Sequence, residues 1–141
     1  MKIKTLTLEN FMIFDSIDVE WSPNINVILG ENSTGKTTLL KAMYSLVKPY
    51  GRSDFLKCTQ MQQEDMIVGK MVGVFRPDEK KIGRMSSRRR GAPKNTKMKV
   101  CTAEGDIIEV SFGSRRENHA DVSVRHSEKS KLCDPVYLPP K

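Results

Sequence analysis

The sequence predicts an α/β fold with a mixed sheet and an antiparallel, strand-rich portion. Three observations carry the prediction. Ile25, Val27, Ile28 and Leu29 make a short apolar run rich in β-branched side chains, which suits a parallel strand buried on both faces. Leu39, Met43, Leu46 and Val47 recur at the i, i+4, i+7, i+8 spacing of a helix with one buried face. Between them, residues 30–37 read G-E-N-S-T-G-K-T and satisfy G-x-x-x-x-G-K-[ST] at every defined position. Strand, tight loop and helix in that order is the context a phosphate-binding loop requires.

The chemistry follows from the residue types. Gly30 and Gly35 tolerate backbone angles that a β-carbon resists and let the main chain approach phosphate oxygens. The N–H groups of Glu31, Asn32, Ser33 and Thr34 then face inward as an anion-binding nest. The helix that follows adds its free N-terminal N–H groups and the positive end of its dipole. Lys36 is placed for the β- and γ-phosphates, the Thr37 hydroxyl for Mg²⁺, and Thr38 for the α-phosphate. The polyphosphate of a nucleotide, with Mg²⁺, is the ligand this set fits.

Ahead of the loop, residues 2–8 alternate as a strand through Ile3, Leu6 and Leu8, and Glu9-Asn10 ends it. A second strand is expected over residues 16–21, with Ile17, Val19 and Trp21 on one face. Ser22-Pro23-Asn24 is a turn. The helix after the loop is expected to stop near Lys48, before Pro49 and Gly51. Residues 64–75 read as a second helix through Met66, Ile67, Met71, Val74 and Phe75, ended by Pro77. Residues 80–99 read as a solvated loop. Strands are expected at 98–102 and 107–112 around the turn A-E-G-D, at 120–125, and at 136–138 between prolines. As an organisation, residues 1–141 make one partial nucleotide-binding domain. Residues 1–48 are its strand pair, loop and helix; 78–99 a basic insertion; 98–138 the strand-rich portion.

The opening strand with Asn10-Phe11, a short strand, and then N-I-N-V-I-L-G-E-N-S-T-G-K-T-T-L-L-K-A-M resembles the N-terminal lobe of ATP-binding-cassette-type ATPases of the SMC/RecF/OLD group, commonly labelled AAA-family ATPases in bacteria. Residues 3–47 carry the resemblance, and the closing P-V-Y-L-P-P-K is similar to a segment of bacterial members. Many members have Gly where this chain has Ser33. The resemblance implies a P-loop NTPase N-terminal lobe, ATP-driven dimerisation, and action on DNA in repair or phage defence.

Hydrolysis in such a fold needs a strand-end carboxylate to help hold Mg²⁺ and a second to polarise water. Neither 72–75, 107–109 nor 136–138 leads into an acid in the required way, and a Ser-Gly-Gly-type signature loop is absent. The chain is therefore expected to be part of a longer ATPase, or a half that meets a C-terminal complement or a second copy. No catalytic residue is assigned.

Net charge is +7 over 141 residues, yet it is concentrated. Residues 80–99 hold nine basic side chains and no acidic one, and the rest of the chain is slightly acidic. Arg88, Arg89 and Arg90 are the candidate nucleic-acid contacts, by phosphate neutralisation. No aromatic residue lies among them for base stacking. The plainer alternative is a solvated insertion. The three scattered cysteines, Cys58, Cys101 and Cys133, exclude a disulfide framework. His119 and His126 lack neighbouring ligands and read as surface residues. Phe11, Phe14 and Trp21 offer a face to adenine but more often pack in a core. The opening M-K-I-K-T-L-T-L-E-N holds no continuous apolar run, and no stretch reaches the length of a membrane span. No membrane partner is expected, and the cytoplasm is the expected compartment.

Two other readings fit the loop. A P-loop kinase or GTPase usually places the loop strand first, and the base-reading Thr/Asn-Lys-x-Asp of a GTPase is absent here. A non-catalytic nucleic-acid-binding protein would use the loop as a nucleotide switch.

Overall fold

The computed structural model describes residues 1–87, 95–129 and 135–138. Seven regular elements are present: β1 (Ile3–Phe11), β2 (Phe14–Glu20), α1 (Lys36–Tyr50), α2 (Gln60–Phe75), β3 (Thr96–Thr102), β4 (Ile107–Phe112) and β5 (Asp121–Arg125). The strands form one sheet in the order β2-β1-β3-β4-β5, and every pairing is antiparallel. Side chains alternate across it as strand geometry requires. Leu6, Leu8, Met98, Val100, Ile108, Val110, Phe112 and Val122 are buried on one face, where α1 and α2 cover them. Thr7, Glu9, Lys97, Lys99, Glu109 and Ser123 occupy the other.

The helices are set by their apolar spacing and their ends. Leu39, Ala42 and Leu46 line the buried stripe of α1, and Ile67, Val68 and Met71 that of α2. Thr59 and Gln62 form a reciprocal capping box at the start of α2, with Gln62 N–H donating to Thr59 Oγ1 (3.3 Å) and Thr59 N–H to Gln62 Oε1 (2.9 Å). Arg76, at φ +48, and then Pro77 end it. The expected helix over 64–75 is thus present and begins one turn earlier.

Several expectations are corrected. Residues 25–29 take no regular secondary structure and pair with no strand among the described residues, so the parallel strand expected there is not in the sheet. Ile25, Val27 and Leu29 are 87%, 75% and 87% exposed, while Ile28 turns toward the core. Residues 136–138 are not a strand either: Val136 and Leu138 are exposed, and Tyr137 lies on Tyr44 with ring centroids 5.6 Å apart. β1 continues through Glu9-Asn10 to Phe11, whose buried ring meets Phe75 edge-on. Helix α1 runs past Lys48 because Tyr50 is fully buried against Phe55, and Pro49 forfeits only one hydrogen bond in the last turn.

The stretch from residue 80 is not uniformly a solvated loop. Ile82–Met85 is a 3₁₀ turn with Ile82, Gly83 and Met85 buried. Ile82 and Gly83 N–H groups donate to Glu117 and Arg116 carbonyls, both at 3.0 Å. Gly83 is needed there, since a β-carbon would stand 2.4 Å from Ser114 O. Residues 96–99 belong to β3. Arg88, Arg89 and Arg90 lie outside the described residues, as does Cys133; Cys58 and Cys101 are free thiols.

Candidate phosphate site

The loop from Gly30 leads directly into α1. Gly35 caps the helix at φ +93, a left-handed angle that glycine adopts without penalty. It is also pressed against the β1–β2 turn: a β-carbon would lie 2.6 Å from Ile13 Cδ1 and 2.6 Å from Phe14 Cζ. Gly30 differs from expectation. Its φ is not positive, and what excludes a side chain is Thr34 Oγ1, 2.9 Å from the position of a β-carbon. Ser33 is left-handed, at φ +66.

The loop's polar groups close on one another. Thr34 Oγ1 donates to Glu31 O at 2.8 Å. Lys36 Nζ donates to the carbonyls of Gly30 and Glu31, the latter at 3.0 Å. The first helical bond runs from Leu39 N–H to Gly35 O at 2.9 Å. The N–H groups of Lys36, Thr37 and Thr38 therefore stand ahead of the helix's own ladder. The first turn of α1 holds no acidic side chain, so the positive end of its dipole is uncompensated there. Glu31, Asn32, Ser33, Thr34 and Thr37 are exposed. The donor set is one of backbone amides, one ammonium and hydroxyls, and a β-carbon at Gly30 would crowd Thr34 and Lys36 within it. That composition fits a polyphosphate.

Met12 and Ile13 are 37% and 45% exposed beside the loop. The three aromatic residues follow the core reading: Phe11 is a core residue, and Phe14 and Trp21 are half-buried against the core. Ile13 and Phe14 as supports of the loop were not assigned from sequence; Asn10-Phe11 marks the turn but not its contact with Gly35.

No group of three or more His, Cys, Asp or Glu able to hold a metal occurs among the described residues. Glu79 is committed to Lys81 (2.7 Å) and Arg84 (3.7 Å), and these cations hold its carboxyl below the usual range. His126 is more than a surface residue. Its Nδ1 lies 2.7 Å from Tyr50 Oη and 3.3 Å from Oδ1 of the fully buried Asp106. No helix among the described residues is long and apolar enough to cross a membrane.

Over 46 residues the chain is 46% identical to the DNA replication and repair protein RecF of Staphylococcus haemolyticus and 50% identical to that of Halalkalibacterium halodurans. Each match takes in 33% of this chain and 12% of the relative, so the chain spans only a small part of the curated relatives it matches. The fold is similar to a chain solved in work on ATP-driven dimerization and DNA-stimulated activation of SMC ATPases, with a TM-score of 0.58 at 11% identity, covering 90% of this chain and 71% of that one. The resemblance to the SMC/RecF group thus stands in sequence over 46 residues and in fold over most of the chain. The family described as an AAA ATPase domain matches residues 1–131, nearly the whole chain, and the chain belongs to that family.

Proposed function

We propose that residues 30–38 bind Mg-ATP, and that this chain is the nucleotide-binding lobe of an ATPase that works on DNA. The observation that carries the reading is Gly35, left-handed and packed under Ile13 at the start of α1. Lys36 would exchange the carbonyls of Gly30 and Glu31 for β- and γ-phosphate oxygens. Thr37 would hold Mg²⁺ through its hydroxyl, and the metal would neutralise phosphate charge. Thr38 would meet the α-phosphate, and the amides of residues 31–35 would surround the β-phosphate. Exposed Met12 and Ile13 offer the base an apolar surface beside the loop.

Hydrolysis is assigned to an assembly and not to this lobe. Ile25, Val27 and Leu29 are exposed on a segment next to the loop that pairs with no strand among the described residues, and their alternation suits a strand whose neighbour is yet to be added. A complementary C-terminal lobe supplying that strand would also supply the carboxylate that the loop lacks; a second copy would supply the γ-phosphate cap. Action in DNA repair follows the RecF relatives; phage defence is the other setting, and the cytoplasm the compartment.

Titration with a fluorescent ATP analogue, with and without Mg²⁺, tests the site. Lys36→Ala is expected to abolish binding while leaving the fold intact, because Lys36 Nζ touches only loop carbonyls. Unchanged affinity would remove the assignment.

The basic segment is the DNA contact in this reading. Replacing Arg88, Arg89 and Arg90 with Ala should weaken duplex binding and flatten its salt dependence by about 2–3 in log–log slope, one counterion step per phosphate. Identical salt curves would leave the segment as a solvated insertion.

A further inference from the structure

The β1–β2 turn that supports Gly35 is strained, and the restraint on it comes from a distant part of the chain. Asn10 and Met12 both have φ +52. A side chain there opposes the left-handed region by about 1–2 kcal/mol per residue, less for Asn. Such angles persist where surrounding structure over-determines them.

Four hydrogen bonds do so. Met12 N–H donates to Met85 O at 2.8 Å, and Ser87 N–H to Asn10 O at 3.0 Å. Thr96 Oγ1 donates to the same Asn10 carbonyl at 2.7 Å. Ser86 Oγ lies 2.7 Å from Thr96 Oγ1. A hydroxyl has one proton to give. Thr96 gives its proton to Asn10 O, so Ser86 is the donor in the hydroxyl pair. The result is a directed chain, Ser86 to Thr96 to the Asn10 carbonyl. Thr96 is fully buried and Ser86 is 5% exposed. In such surroundings each bond polarises the next, and a missing partner is costly.

We propose that Thr96, assisted by Ser86, is a positioning residue for the phosphate loop: its hydroxyl fixes the turn that seats Ile13 and Phe14 on Gly35. The reach is geometric. Asn10 lies two residues before Met12 in a two-residue hairpin closed by Phe11 and Phe14. Moving the Asn10 carbonyl moves Ile13 and Phe14 off Gly35, which has no side chain to absorb the shift. The proposal rests on residues 30–38 being a nucleotide site only for its consequence on affinity.

Thr96→Val keeps shape and removes the hydroxyl; Thr96→Ser keeps the hydroxyl. Amide hydrogen exchange of the chain without nucleotide is the first readout. Thr96→Val should speed exchange at residues 12–14 and 33–38 while leaving β4 and β5 near wild type, and Thr96→Ser should restore it. Unchanged exchange at the loop, or acceleration shared equally by all strands, would overturn the proposal. If Thr96→Val does not fold, Ser86→Ala decides in the same way with a smaller change. The second readout is titration with the ATP analogue, well below the melting temperature. Thr96→Val should lose affinity about tenfold, the scale of one buried hydrogen bond, and Thr96→Ser should remain within about twofold. An affinity unmoved by Thr96→Val would also overturn the positioning role. A wild-type chain that binds no nucleotide would sink the nucleotide reading, and exchange would still decide the role of Thr96.

Discussion

Gly35 lies beneath Ile13 so closely that a β-carbon on the glycine would stand 2.6 Å from Ile13 Cδ1. One residue thereby satisfies two demands: a left-handed cap for α1 and a flat surface for the hairpin turn. Gly35→Ala should violate both. The left-handed angle costs about 1–2 kcal/mol and overpacking a further 1–3 kcal/mol. Urea unfolding should show a loss of about 2–5 kcal/mol on that basis, and nucleotide binding should vanish. A variant that keeps wild-type stability would mean that the turn does not rest on the loop in solution.

Ser33 gives the converse case. It has φ +66, at the position where many members of the resembled group carry Gly. Ser33→Gly relieves a left-handed side chain but loosens the unfolded chain. The two effects nearly cancel, so unfolding should show a gain of at most about 1 kcal/mol with nucleotide binding retained. A loss larger than that would place Ser33 in another conformation.

Legibility in the sequence followed the range of the forces. The hairpin of β3 and β4 was readable because its determinants are local: alternating side chains around a turn in which Gly105 takes φ +101. Helix α2 was readable from Ile67 and Met71, and its start is encoded locally too, by the capping pair Thr59 and Gln62. The phosphate loop is a local motif and leads into the expected helix, whereas the strand expected before it is not formed. What failed was non-local. Apolar residues 25–29 announce burial but not the partner that provides it. Nothing around Ile82 and Gly83 signals that they pair with Glu117 and Arg116. The basic charge of that stretch hid three buried residues, Ile82, Gly83 and Met85. Thr96 gave no signal of any kind, since its partner Asn10 is 86 positions away.

The unpaired segment makes its own prediction. Leu29 is 87% exposed and Leu39 is 6% exposed, with the same side chain. Leu39→Ala should cost about 2–5 kcal/mol, the usual range for a buried leucine. Leu29→Ala should change stability by less than about 0.5 kcal/mol, as at an open surface. Parallel urea titrations of the two variants compare them directly. Equal losses would show that residues 25–29 are buried in the isolated chain, and the argument for a complementary lobe would lose its basis.

Tyr50 joins the end of α1 to the far edge of the sheet and gives stability a dependence on alkaline pH. Its ring is fully buried, and its hydroxyl lies 2.7 Å from His126 Nδ1. Burial, and then the neighbouring Asp106 carboxylate, raise its ionisation well above the ordinary value of 10.0. The folded chain therefore keeps the phenol proton at a pH where the unfolded chain has lost it. Stability from this group is complete below pH 10 and falls as pH rises from there toward the folded value. Tyr50→Phe removes the titration together with the hydroxyl's hydrogen bonding to His126 and Asp106, a loss of about 1–2 kcal/mol near neutrality. Lysines titrate in the same window, but they do so equally in both chains and drop out of the difference. The excess stability of wild type over Tyr50→Phe should thus be constant from pH 7 to about 9.5 and then shrink at up to about 1.4 kcal/mol per pH unit. Urea unfolding of both chains between pH 7 and 11 measures it, and a difference that stays constant throughout would mean that Tyr50 is not held away from water.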